Sequence, residues 1–154
     1  MNIMRRKEKE ITEKAEIESI IEQSLVCRLA LCDEGSPYIV PLCFGYRQAV
    51  LYFHSARAGK KLDVLKRNDR VCFEFDAGLE VTTGKTACDW GMKYRSVIGF
   101  GRASFVEDSR EKHRALEIIT AQYADQAYTL TDAAVKETCV FKVDIGSMTG
   151  KQSI

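Results

Sequence analysis

The chain has 154 residues, of which 45% are hydrophobic, so it is one domain long with enough apolar material for one core. Its 23 basic and 22 acidic residues leave a net charge of +1, which gives no bulk attraction for nucleic acid or an anionic membrane. Met1 to Lys14 is charged, and no stretch approaches the roughly 20 apolar residues of a membrane-crossing helix, so a soluble, cytoplasmic, single-domain protein (residues 1–154) is expected.

Ile11 to Gln23 puts Ile17, Ile20, Ile21 and Leu25 on one stripe and glutamates on the other, which predicts an amphipathic helix. Val26 to Cys32 and Tyr38 to Tyr46 are runs of β-formers separated by Asp33-Glu34-Gly35-Ser36-Pro37, a hairpin signal. Val50 to Ser55 follows after Arg47-Gln48-Ala49, so these three strands are expected to form an antiparallel meander. Gly59 to Arg67 reads as a short helix, and Arg70 to Asp76 alternates Val71, Phe73 and Phe75 as a strand. Gly78 to Lys93 has no clear period. Tyr94 to Val106 predicts a long strand that Gly99 and Gly101 allow to bend. Asp108 to Tyr123 reads as a second long helix with Asp108 and Glu111 in capping-box spacing. A short helical piece around Thr131 to Lys136 and a last strand, Thr138 to Ile145, complete the chain. The elements predict a mainly β (α+β) fold, a six-stranded antiparallel barrel with peripheral helices.

The six cysteines are spaced singly, four of them in apolar runs, which suits reduced core thiols. Without a Cys-x-x-Cys pair, and with His54 and His113 far from any cysteine pair, no metal site is expected. Thr83-Gly84-Lys85-Thr86 lacks the glycine spacing of a P-loop, and Gly99-Phe100-Gly101 continues as a strand, not as a nucleotide-binding turn. His113, beside Lys112 and Arg114, reads as a surface residue. The segment from Leu51 to Leu62 is more informative. A strand ends in His54 and Ser55, and a helix then opens on Gly59, Lys60 and Lys61. Cations at a helix N-terminus are unfavourable unless an anion compensates them, and phosphate is the natural anion there. A solvated charge run at a helix start is the competing reading of the same residues.

Four stretches carry a resemblance: Pro37 to Leu42, Leu51-Tyr52-Phe53-His54-Ser55 through Gly59-Lys60-Lys61, Asn68 to Phe73, and Tyr94 to Gly101. In this order they resemble the pyridoxamine 5′-phosphate oxidase-like, FMN-binding split barrels, in particular the branch related to nitroimidazole-resistance proteins. Thr149-Gly150-Lys151 is also similar to that branch. The resemblance implies a six-stranded antiparallel split β-barrel and a homodimer with FMN in the cleft between subunits. It implies that Val40, Pro41 and Leu42 run along the isoalloxazine ring through their backbone groups. By the same resemblance His54 and Ser55 lie near the ribityl phosphate or ring edge, Lys60 and Lys61 at the phosphate, and Tyr94, Arg95 and Ser96 complete the cofactor site. The implied reaction is reduction of a small nitro or aromatic substrate, with His54 in the place of the active-site histidine. A flavin- or haem-binding carrier without turnover is the alternative. True pyridoxamine phosphate oxidases carry a C-terminal tryptophan and arginines for the substrate phosphate. Here Gly146 to Ile154 has only Lys151 as a charged residue, so vitamin B6 oxidation is not expected. Trp90, the sole tryptophan, is placed either to stack on a ring in the cleft or to anchor its loop.

Overall fold

The computed structural model describes residues 3–154; Met1 and Asn2, the start of the charged leader, lie outside the described residues. The elements are β1 (Glu10–Ile11), α1 (Lys14–Gln23), β2 (Cys27–Asp33), β3 (Ser36–Leu42), β4 (Gly45–Arg47), β5 (Val50–Ser55), α2 (Lys60–Arg67), β6 (Arg70–Thr82), β7 (Gly91–Phe105), α3 (Ser109–Tyr123), α4 (Asp132–Glu137) and β8 (Cys139–Ser153). All strand pairs are antiparallel, in the order β3-β2-β6-β7-β8-β5-β4, with β1 added to β8. The sheet curls without closing, which makes it a split barrel. The eight strands exceed the expected six because β1 and β4 are too short to leave a period-2 pattern.

The meander expected from Val26 to Ser55 does not form. β2 and β3 pair as a hairpin and β4 and β5 as another, but β3 ends one edge of the sheet while β4 ends the other. The run from Tyr38 to Tyr46 breaks at Cys43-Phe44 because Phe44 turns fully into the core, 4.7 Å from Phe75 between ring centroids. The Phe44 N–H donates to the Tyr123 hydroxyl, which itself donates to the Leu25 carbonyl. Both hairpins use two-residue turns with positive φ, Glu34-Gly35 (50° and 87°) and Gln48-Ala49 (50° and 60°). Such turns match the right-handed twist of the strands they join.

Gly78 to Lys93 is not irregular. β6 runs on to Thr82 and β7 begins at Gly91, with a register shift between Ala77 and Glu80 that disguises the alternation. Gly99 permits close approach, since a Cβ there would stand 2.1 Å from the Phe73 ring and 2.7 Å from the Ser147 carbonyl. The bend beside it is a register shift of β7 against β8 between Phe100 and Gly101. The last strand is twice as long as its apolar pattern, because Gly146 to Ser153 pairs along the outer half of β7.

The core lies between the curled sheet and α1, α2 and α3. Phe53 and Phe141 stack at 5.0 Å within it, and Ile17, Ile20 and Ile21 of α1 close one side. Leu25 departs from the predicted stripe: it follows the helix and is 73% exposed. α1 itself starts at Lys14, since Ile11 is drawn into β1. α3 is capped by the Asp108 carboxylate, which accepts from the Glu111 N–H, and α4 by the Thr131 hydroxyl, which accepts from Ala134. All six cysteines are free, but the expectation of core thiols holds for Cys27 alone; Cys72 and Cys139 are half-buried, and Cys32, Cys43 and Cys88 are exposed.

Candidate functional site

α2 has eight residues and starts on Gly59, at φ 145°, which supplies no side-chain cap. The Gly59 carbonyl accepts from Leu62 and Asp63, so the N–H groups of Lys60 and Lys61 have no partner within the helix. Both capped helices carry an oxygen at this position. α2 instead presents bare N–H groups and two ammonium groups, an arrangement complementary to an oxyanion.

The two lysines diverge, as adjacent helical residues must. The Lys60 Nζ lies 4.5 Å from the centroid of the Tyr38 ring and 4.0 Å from an Asp33 carboxylate oxygen. Arg67 makes a closer pair with Asp33, at 2.7 Å. These contacts bring the start of α2 to the flank of β3. Lys61 is half-buried, and its charge reaches the Cys139 thiol on the other flank. Burial pushes that thiol up, while Lys112, Lys66 and Lys61 pull it back. Tyr38 and Asp33 are the site residues that sequence reasoning missed. Tyr38 lies within the first motif block, and its place on an edge strand facing a lysine is visible only once β3 and α2 are packed.

Val40, Pro41 and Leu42 lie on β3, an edge strand with no partner beyond it among the described residues. One row of its backbone groups is therefore open, though Pro41 has only a carbonyl to offer. Val40 and Leu42 pack against the core, opposite Leu29 and Cys27, while Ile39 and Pro41 face outward. On β5, Leu51 and Phe53 are buried, which turns His54 outward and exposed beside Val140. Its ring makes no hydrogen bond with any described residue. Ser55 pairs with Cys139 and leads through Ala56 to Gly59 directly into α2.

Tyr94, Arg95 and Ser96 lie toward the opposite end of β8 from His54. Ser96 pairs with Lys151 of β8, whereas His54 pairs with Val140 of the same strand. Eleven residues along β8 separate the two, about 35 Å of strand. Arg95 lies 3.8 Å from Glu16 of α1 instead. The outward face between these points is apolar at its flanks and charged at its centre: Ile39, Ala30, Cys72 and Phe100 lie in one cross-strand row, and Pro41, Arg28, Glu74 and Ile98 in the next. Ile39 is 60% and Phe100 59% exposed, and Met92 and Val81 continue the stripe toward the β6–β7 hairpin. In its centre Arg28 bridges Glu74 at 3.2 Å and Asp76 at 3.3 Å. Burial, then the Asp76 charge, push the Glu74 carboxyl up against the opposing pull of Arg28.

Trp90 does anchor its loop, donating from Nε1 to the Gly84 carbonyl at 3.1 Å, yet 57% of the residue stays exposed at the hairpin tip. Cavities of about 250 and 310 Å³ lie elsewhere, and neither is lined by a residue of the predicted cofactor set. Among the described residues no group of three or more His, Cys, Asp or Glu side chains is placed to hold a metal ion, and no helix is long and apolar enough to cross a membrane.

The sequence profile of the pyridoxamine 5′-phosphate oxidase family matches residues 13–152. The chain belongs to that family. A candidate 5-nitroimidazole antibiotic resistance protein from Bacteroides thetaiotaomicron has 39% sequence identity and a TM-score of 0.84, over 93% of this chain and 86% of that one. A flavocytochrome from Azotobacter vinelandii (17% identity, TM-score 0.84, 99% of this chain and 72% of that one) and an FAD- and haem-binding protein from Mycobacterium smegmatis (19%, 0.84, 94% and 73%) share the fold. No curated protein matches the sequence. Flavin- and haem-binding proteins therefore stand among the structural neighbours of this family member.

Proposed function

We propose that the protein is an FMN-dependent oxidoreductase that reduces a small nitro compound, working as a homodimer with the flavin between subunits. The observation that carries this reading is the uncapped start of α2, with its free N–H groups and Lys60 and Lys61, set against the open edge of β3. A dianionic phosphate would compensate the N–H groups and draw in the two ammonium ions from their separate flanks, and no other α-helix among the described residues opens on an uncapped turn with two lysines. The 39% identity to a candidate 5-nitroimidazole resistance protein supports the choice of substrate class.

In this reading Lys60, Lys61 and Ser55 bind the phosphate, and the backbone of Val40 to Leu42 orients the ring edge. The bound flavin supplies the two-electron redox chemistry. His54, exposed and without a hydrogen bond to any described residue, would be the group that supplies a proton to the nitro oxygen when the bound flavin reduces the substrate, and solvent would restore that proton. Tyr94, Arg95 and Ser96, eleven or more residues along β8 from the strand partner of His54, reach the cofactor of the other subunit. The exposed row of Ile39, Ile98 and Phe100 is the surface through which the copies meet.

The test is spectroscopic. After addition of FMN the purified dimer should carry a flavin absorption band, lose it anaerobically with NAD(P)H, and regain it on addition of a 5-nitroimidazole. A dimer that stays colourless with FMN refutes the reading. A flavin that bleaches but is not reoxidised by the nitro compound leaves a carrier, not an enzyme.

A further inference from the structure

A second basic surface lies on the flank of α2 away from the Lys60 contact with Tyr38; it borders the flavin phosphate residues at Cys139, which the Lys61 charge reaches, but its test does not depend on the flavin reading. It is the cavity of about 250 Å³ whose floor is Leu62, Phe105, Val106 and Val140. Its cations come from four segments: Arg57 from the β5–α2 turn, Lys66 from the last turn of α2, Lys112 from α3 and Lys136 from α4. Glu107 is the sole carboxylate in the lining. In a chain of net charge +1 this is a concentrated positive field. The charges are only partly answered within the protein. Arg57 pairs with Glu137 at 3.1 Å, and the Lys112 ammonium donates to the Lys136 carbonyl at 3.3 Å. Lys66 and Lys136 have no carboxylate within ion-pair distance among the described residues. The C-terminal dipoles of their helices favour a lysine at each position but do not explain why both point into one cavity with two further cations.

We propose that this cavity binds a small phosphate-type oxyanion, either free or as the phosphate end of a larger metabolite. Its volume falls below the roughly 300 Å³ at which pockets for drug-sized ligands begin, which suits a phosphate or pyrophosphate group. Lys66, Lys112 and Lys136 supply charge, and Arg57 can turn from Glu137 to offer two parallel N–H groups. The Thr138 hydroxyl donates to the Ala134 carbonyl and so is not counted among the donors to the anion.

The experiment is calorimetric titration of the flavin-loaded protein with phosphate, pyrophosphate and ribose 5-phosphate at fixed ionic strength. The expected result is saturable binding of at least one of the three, weakened tenfold or more by the double substitution Lys66→Gln, Lys136→Gln and unchanged by Lys85→Gln, an exposed lysine outside the cavity lining. Both substituted lysines are exposed, so the fold is not at risk, and retention of flavin by the double variant checks this directly. Tighter binding of ribose 5-phosphate than of phosphate identifies the metabolite source, and the reverse order the free ion; either supports the site. No saturable binding, equal binding by the double variant, or binding that occurs only with release of the flavin overturns it. Lack of flavin in the wild-type protein would sink the proposed enzyme without touching this site, because the same titration can be run on the flavin-free chain.

Discussion

The divergence of Lys60 and Lys61 makes their contributions to flavin binding unequal, and the inequality can be measured. A charge-assisted hydrogen bond to phosphate is worth about 1.5–3 kcal/mol. The Lys60 side chain is 60% exposed and must first leave Asp33, an exposed pair worth about 0–1 kcal/mol, so its net contribution is about 1 kcal/mol. Lys61 is half-buried with no carboxylate in ion-pair range, and it retains about 2 kcal/mol. Lys60→Gln should then weaken FMN about fivefold and Lys61→Gln about thirtyfold, with the double variant departing from the sum of the two free energies because both lysines act on one phosphate. Asp33→Asn works in the opposite direction, releasing Lys60 and Arg67 toward the anion, and should tighten FMN a few-fold. Quenching of FMN fluorescence on titration gives each dissociation constant. Riboflavin, which lacks the phosphate, should bind the wild type and all four variants alike. Equal losses for the two lysines, or weaker binding by Asp33→Asn, would refute the assignment of these groups to the phosphate.

Further outcomes follow from packing and charge. Gly99→Ala should cost at least about 2 kcal/mol in urea denaturation, because its Cβ would meet both the Phe73 ring and the Ser147 carbonyl and the latter cannot move freely. Ala49→Gly should stabilise by about 0.5 kcal/mol, since relief of the left-handed conformation at φ 60° outweighs the added freedom of the unfolded chain; a loss of stability would show the turn to be unstrained. The Glu74 carboxyl has a raised pKa, so its proton stabilises the fold fully below its usual value of 4.5, and that stabilisation is lost as pH rises through the raised value. Glu74→Gln should therefore gain stability relative to wild type at pH 7 and lose that advantage toward pH 4, as thermal melts across this range will show. Phe100→Arg should yield monomers by size exclusion together with loss of bound flavin; monomers that keep full flavin would place the cofactor within one chain.

The parts legible in the sequence are those governed by neighbours along the chain. The strand, basic turn, helix and strand from Val50 to Phe75 were readable because the alternation of Leu51 and Phe53, and of Val71, Phe73 and Phe75, is local, as is the helical spacing of Leu62 and Leu65. The family blocks supplied the split barrel. What the sequence hid is pairing at a distance. Nothing in Tyr38 to Ser55 states that β3 and the β4–β5 hairpin belong to opposite ends of the sheet; that follows from Phe44 entering the core and from β8 claiming β5. The register shift at Ala77 broke the period that would have exposed the β6–β7 hairpin. The lysine pair was legible as charge, but the separate directions of its two members depend on Asp33 and Tyr38, which only tertiary packing brings near.

The long β8 also sets an order of events in folding. β5, which delivers His54, Ser55 and the start of α2, has only three-residue β4 as a local partner, and its other edge waits for a segment more than eighty residues downstream. Closing so long a loop is slow, and its entropy must be met before the pairing repays it. The anion-binding end of α2 should consequently be among the last regions to become ordered during refolding, after the β2–β3 and β6–β7 hairpins. A ligand captured there would act as a clasp on the final strand, slowing the opening of β8 more than the fraying of either hairpin.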